Sequence, residues 1–476
     1  MTDARQRPDS TAPGSAAPPP AMGLELREGA HVPRRQVISW ALWDWGTQPF
    51  NTVILTFVFT ALYLTTDAFL DPAVAALETD DPAYQHGLAE LSSGLGFWNA
   101  AAGVLVLLLA PVLGQRADAT GRRKTWLGGA TVGMVLCMLA LWFVEADPAY
   151  FVLGAAVIGL GSVLSEIGGV NYNAMMVSVA TPRTVGAVSG LGWGLGYVGG
   201  ILMLVLVVVA NTVDWWGMPT DNGLPFRVIA VACALWAVAF AWPIFAYVPE
   251  RQLGAARPTV GFFAGYVVLY RDIKNLWHTA RRTFWFLLAS AVYRDGLSGV
   301  FAFGAIIGSV SFGFSADQVI VFGIAANLVA GISTMLVGLA DDRFGPRAVI
   351  LTALGTVVAA GLGVVLLRDL GPIVYWVGGL ILSACVGPAQ AASRSYLARV
   401  TPAGRESEIF GLYATTGRAT SWMSSTLWSI VIALTGATIW GTFGIIGVVL
   451  VGLVLLWFVP TAETGETPAH GAAQAG

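Results

Sequence analysis

The sequence predicts an all-α polytopic membrane protein, with twelve transmembrane helices arranged as two pseudo-symmetric six-helix halves. Three observations predict it: an apolar composition, loops whose basic charge falls on one side, and motifs that recur in order along the chain. Of 476 residues, 56% are hydrophobic and 11% charged. A soluble domain carries roughly 25% charged residues, so this chain has too little polar surface to face water on all sides and fits a lipid-solvated bundle. The net charge of −3 gives no reason to expect nucleic acid. Cys137, Cys233 and Cys385 lie in separate apolar runs, which is neither a disulfide framework nor a set of metal ligands. The 57 glycines suit membrane helices, where small residues let backbones approach closely.

The elements follow in order. Residues 1–36 hold no apolar core, and their run STAPGSAAPPPA predicts a disordered tail rather than a signal peptide. Apolar stretches of about 20 residues are needed for a span. They predict twelve: 37–63, 92–113, 125–145, 149–179, 187–210, 226–248, 284–308, 317–337, 348–367, 371–397, 408–433 and 436–459. Residues 249–283 form a basic linker between the halves 37–248 and 284–459, and residues 460–476 form a second disordered tail. Both termini then share one side. That side carries twenty of the basic residues in tails, loops and span ends, and the other only Arg227 and Arg368. Loop 64–91, opposite, has six acids and no Lys or Arg. By the positive-inside rule the termini and the linker are expected in the cytoplasm, and the protein in the cytoplasmic membrane.

The duplication rests on three matches. GQRADATGRRKT begins at Gly114 after the second span, and GLADDRFGPRAV begins at Gly338 after the eighth. Both fit G-x-x-A-D-x-x-G-x-R with one residue of slip. SVATPRTVGAVSGL at 178–191 resembles ARVTPAGRESEIFGL at 398–412, and WDWG at 43–46 answers RDG at 294–296. Internal repeats of this kind build many secondary transporters. In the loop motif, Gly114, Gly121, Gly338 and Gly345 permit tight turns. Asp118, like Asp341 or Asp342, can face the amides of a helix N-terminus, where an anion is favoured. Arg122, Arg123 and Arg347 can pair with those carboxylates. A gating latch and an ordinary basic turn both fit one copy; two copies favour the latch.

GQRADATGRRKT resembles the loop signature of the major facilitator superfamily. WALWDWGTQPFNTVILTFVF, SGLGWGLGYVGG, YRDGL and GPAQAASRSYLARVTPAGRESEIFGLYATTGRATSW resemble, more narrowly, the vacuole-effluxer-like family within it, whose best-known member is the autophagy-related amino-acid effluxer of fungal vacuoles. The resemblance implies that spans one, four, seven and ten line a central cavity. GLGYVG at 194–199 matches a dinucleotide fingerprint but follows no strand. Gly192, Gly196 and Gly200 read instead as a close-packing stripe.

Six charges fall deep enough within spans to be intramembrane: Asp44, Glu166, Arg294, Asp295, Arg394 and Arg418. An isolated charge at the bilayer centre costs about 2.5–3.5 kcal/mol on insertion scales, so these must face the bundle interior and pair, or line a hydrated path. Polar stripes support this. Asp44, Gln48 and Asn51 share a helix face, as do Glu166 and Asn173 with Tyr172 adjacent, and Gln390 and Arg394. Trp43, Trp45, Tyr172, Trp193 and Tyr293 lie near these charges. Structural pairing would join Asp44 to Arg394, or Glu166 to Arg418. The functional alternative has arginines hold a substrate carboxylate while acids bind an amine or carry a proton. All four histidines fall in tails or loops, so Asp44, Glu166 and Asp295 are the candidate proton carriers.

The expectation is a monomeric secondary transporter with no cofactor or metal. It would move a small organic solute, an amino acid or similar zwitterion, by alternating access coupled to protons. A proton-coupled drug exporter is the rival within the class, and a non-transporting sensor or scaffold the rival outside it. A membrane-embedded enzyme would need a catalytic or metal constellation that the spans do not carry, and no Walker loop points to ATP.

Overall fold

The computed structural model describes residues 22–219, 221–250 and 261–459. The outer parts of both expected tails and the middle of the expected linker lie outside the described residues. Every element is helical apart from a single isolated β-bridge between Met22 and Pro402. In the first half the helices are α1 (Arg34–Pro49), α2 (Pro82–Thr120), α3 (Arg123–Ala140), α4 (Phe151–Val179), α5 (Val185–Thr212) and α6 (Leu224–Tyr247). Helix α7 (Phe262–Thr279) occupies the linker. The second half holds α8 (Arg281–Ile306), α9 (Ala316–Phe344), α10 (Pro346–Leu366), α11 (Pro372–Val400), α12 (Glu406–Thr420), α13 (Met423–Thr435) and α14 (Gly441–Trp457).

Among the described residues, ten helices are long and apolar enough to cross a membrane. The two remaining expected spans, the first and the eleventh, are present but interrupted. In the first, α1 runs to Pro49 and continues as π-helical turns over Phe50–Phe57 and Phe59–Tyr63. Pro49 has no N–H to give the carbonyl of Trp45, one turn back. Trp236 of α6 donates its indole N–H to that oxygen instead, at 3.3 Å. The eleventh span breaks at Ser421–Trp422, between α12 and α13. Hydropathy reports composition and is blind to both breaks.

Helix starts follow local chemistry. Asp81 caps α2 through Ala83 N, with Pro82 at the first helical position. Ser315 and Gln318 form a reciprocal capping box on α9. With 39 residues, α2 is about 58 Å long at 1.5 Å per residue, so it projects beyond the 92–113 span expected from apolarity. Part of the stretch expected as the N-terminal tail, 1–36, is ordered among the described residues. Met22–Arg27 is folded and α1 begins at Arg34, because Leu24 and Arg27 find burial that their local composition does not announce.

The halves meet along two seams. Helix α5 packs along α9, and α2 along α12. Glycine makes the first seam possible. A Cβ at Gly190 would sit 2.6 Å from the carbonyl oxygen of Thr334 on α9; within the first half, one at Gly199 would sit 2.5 Å from that of Trp45 on α1. Gly192, Gly196 and Gly200 face Tyr172, Asp44 and Thr52 in the same close manner. The stripe read from the sequence is thus a packing surface, and α5 carries a second one toward α9.

Candidate functional site

Three layers stack along the bundle axis. At the face with the basic loops, two carboxylates clasp the halves together. Asp118, at the end of α2, accepts from the backbone N–H groups of Ser407 (3.1 Å) and Glu408 (2.8 Å), the first turn of α12. An anion there neutralises the exposed amides and dipole of the helix start. Arg123 donates to Asp118 through Nε at 2.9 Å and Nη2 at 2.7 Å, and also pairs with buried Glu406. Gly114 admits the contact, since a Cβ there would collide with the carbonyl oxygen of Ser407.

The second clasp is the pseudo-symmetric counterpart. Asp342 accepts from Gly186 N (2.7 Å) and Ala187 N (2.8 Å), at the start of α5. Asp342 lies four residues after Gly338, as Asp118 does after Gly114, which resolves the slip in the motif. Asp341 accepts from Ser395 Oγ. The arginine roles differ between copies. Arg399 of α11 donates to Asp342 at 3.2 Å, whereas Arg347 donates to the carbonyl of Trp457 at 2.7 Å and takes no part. Arg122 precedes α3 and makes none of the clasp bonds; Gly121 (φ 63°) and Gly345 (φ 84°) take the turn conformations that only glycine adopts freely. The two repeated motifs are therefore partners: each loop carboxylate grips the helix that follows the Thr-Pro motif of the opposite half.

A third contact covers the same face. Gly23 N donates to the carbonyl of Thr401 in the second half at 3.1 Å, and Met22 bridges to Pro402. Arg27 reaches Ser178 O in the first half at 3.3 Å. Leu24 between them is 1% exposed.

The middle layer holds the intramembrane charges, and both pairings named from the sequence are present. Arg394, 2% exposed, donates to Asn173 Oδ1 (2.9 Å) and to the carbonyl of Ser189 (2.8 Å), lies 3.9 Å from Asp44, and rests over the Trp193 ring. Arg418 pairs with Glu166 at 2.5 Å, both partly exposed. Each pair joins the second half to the first. Tyr172 is stacked between Trp40 and Trp43. Gln48, Asn51 and Gln390 are half-buried on α1, the π-helical turn after it, and α11. Arg294 and Asp295 stay within their own half. Arg294 donates to Tyr413 O at 3.0 Å and lies over its ring. Asp295 accepts from Ser424 N (2.7 Å) and Ser424 Oγ (2.6 Å), capping α13 where the eleventh span restarts. Tyr293 bonds Ser393 Oγ at 2.6 Å, and Trp43 bonds Thr131 at 3.0 Å. Trp45 stacks on Trp236.

The third layer is a cavity of about 840 Å³ toward the acidic-loop face, walled by both halves, including Thr52, Ala61, Phe226, Phe301, Asn327 and Ser383. Its walls are mostly apolar. None of the residues expected to line a cavity is on them. On α11 the order along the helix is Ser383 at the cavity, Arg394 in the charge layer and Arg399 at the clasp, so the charges form a floor between cavity and closed face.

Sequence reasoning missed Ser189, Arg399, Glu406 and Ser424. Ser189 and Glu406 lie inside the quoted repeats, but their partners come from the other half. Among the described residues no cluster of His, Cys, Asp and Glu is arranged to hold a metal.

A fold of twelve spans in two clasped halves, with a cavity walled by both, is that of a secondary transporter of the major facilitator type. A family model described as vacuole effluxer Atg22 like matches residues 178–467, and the chain belongs to that family. It is 25% identical over 437 residues to the uncharacterized MFS-type transporter YxiO of Bacillus subtilis (strain 168), covering 90% of this chain and 95% of that one. The fold is similar to the Escherichia coli fucose:proton symporter FucP (TM-score 0.66, 11% identity, 90% of this chain and 98% of that one). It is also similar to the proton:xylose symporter XylE (TM-score 0.65, 14% identity, 90% and 96%). A third likeness is to a bacterial homologue of the iron transporter ferroportin in an outward-facing state (TM-score 0.63, 13% identity, 90% and 98%).

Proposed function

We propose that this protein moves an amino acid or similar zwitterion across the cell membrane by alternating access, driven by protons. The basic face is cytoplasmic in this reading, so the cavity opens outward and the clasps close the inner gate. The halves 37–248 and 284–459 are the bodies that rock. One observation carries the reading: the charge layer contains two acid–arginine ion pairs, Asp44–Arg394 and Glu166–Arg418, and both cross between the halves. Opening the inner face pulls each arginine from its acid. A ligand bearing a carboxylate and an ammonium can stand in for the lost partners, because a guanidinium takes a carboxylate in a fork of two bonds. The apolar wall above suits the remainder of such a molecule. Proton coupling in the FucP and XylE relatives supports a proton as the coupling ion. Asp44 and Glu166 are the carriers this geometry favours over Asp295, which is engaged as a helix cap.

The apolar cavity wall also favours a second reading, a proton-coupled exporter of lipophilic compounds. Proteoliposomes with an imposed pH gradient separate the two. Uptake or counterflow of labelled neutral amino acids, with no movement of lipophilic dyes, supports the first; the converse result replaces it with the second.

A further inference from the structure

The basic face carries a surface that neither the clasps nor the charge layer uses. Helix α7 joins the halves and is two-sided. One side packs on protein. Tyr266 Oη donates to Leu108 O of α2 at 3.1 Å, Gly265 lies against Val112, and Leu276 is buried in the core. The other side presents Phe263, Val267 and Tyr270, which are 83%, 53% and 70% exposed. Their i, i+4, i+7 spacing makes one stripe. Arg271, Lys274 and His278, all exposed, continue it toward the helix end.

Where α7 docks decides what this stripe meets. Helix α2 turns Phe97, Val104 and Leu108 outward, and an exposed apolar strip on a spanning helix faces acyl chains. Helix α7 covers the basic-face end of that strip, at Leu108 and Val112. It therefore sits on the lipid flank of the bundle. An aromatic and aliphatic stripe followed by cations is the pattern of a helix lying in the membrane interface.

We infer that α7 docks into the leaflet at the basic face and selects anionic phospholipids. Phe263, Val267 and Tyr270 enter the acyl boundary, and Arg271 and Lys274 hold headgroup phosphates. Each interfacial Lys or Arg adds attraction to an anionic surface. Because α7 packs on both α2 and α8, a lipid held there bears on a helix that contacts both halves.

The test uses the full chain in vesicles of equal parts phosphatidylcholine and phosphatidylglycerol. A fluorophore on Val267→Cys is quenched by nitroxide-labelled lipid of either headgroup. The expected result is quenching by both lipids, roughly three- to tenfold stronger for phosphatidylglycerol. R271Q/K274Q erases the preference while phosphatidylcholine still quenches, and R271K/K274R keeps it. No quenching by either lipid places the stripe in water and overturns the proposal. Equal quenching by the two lipids, or a preference that survives R271Q/K274Q, overturns the headgroup selection.

Discussion

Asp118 holds the backbone N–H of Glu408 at 2.8 Å, 290 residues away in sequence, and Asp342 holds that of Ala187 at the same distance. Each carboxylate sits on one half and each helix start on the other. The same interaction is made twice, in opposite directions, across one closed face.

Removing either charge weakens that closure. Asp118→Asn and Asp342→Asn keep the shape but lose charge-assisted bonds worth about 1–3 kcal/mol each. Spin labels on the basic-face ends of the two halves are expected to show a longer distance population in each variant. The sites share no partner, so the double variant shifts it further by about the sum of the two effects. An unchanged distance distribution in the double variant removes the clasps from the gate.

Arg394 bonds through three guanidinium nitrogens to Asn173 and Ser189, and Arg418 through one to Glu166. Arg394→Gln and Arg418→Gln are expected to insert and run as monodisperse protein while substrate flux falls at least roughly tenfold, the loss of one charged hydrogen bond of about 1.5–3 kcal/mol. Arg394→Lys fails as well, because an ammonium cannot reach both Asn173 and the Ser189 carbonyl with one rigid group. Wild-type flux in both Gln variants would take the arginines out of the transport path.

The three candidate proton carriers separate by experiment. Asp44→Asn and Glu166→Gln are expected to retain exchange down a substrate gradient and to lose accumulation driven by a pH gradient. Asp295→Asn keeps both. Asp295→Ala instead lowers the melting temperature, since loss of a helix cap costs about 0.5–2 kcal/mol. Melting curves paired with flux measurements distinguish a cap from a carrier.

The N-terminal segment is a third restraint on the basic face. Deleting residues 2–28 removes the Gly23–Thr401 and Arg27–Ser178 bonds and the burial of Leu24, which alone stabilises by about 1.5–3 kcal/mol. A cysteine at Ser407, buried in the closed state, is expected to become reactive to a membrane-impermeant maleimide in the truncated protein and to stay protected in the full chain.

Much of this arrangement is legible in the residues. Apolar runs mark the spans, and the cost of burying Asp44 and Glu166 alone points to Arg394 and Arg418 as partners. What stays hidden depends on contacts between distant segments. Arg399 looks like another basic loop residue until Asp342 is placed beside it. Asp295 gives no sign of its bonds to Ser424 until the eleventh span is seen to restart at Met423. Met22–Arg27 carries no periodicity, and only the cleft between Ser178 and Thr401 gives it a fold.

Pro49 leaves the Trp45 carbonyl to a tryptophan from another helix, so the first span's own ladder lacks one bond at this point. Below this joint, Gly196 and Gly199 grip the span against α5; above it, Phe57 and Ala61 form part of the cavity wall. The missing bond falls where the pinned part of the span gives way to its cavity wall, so a bend there would move Phe57 and Ala61 against Gly196 and Gly199.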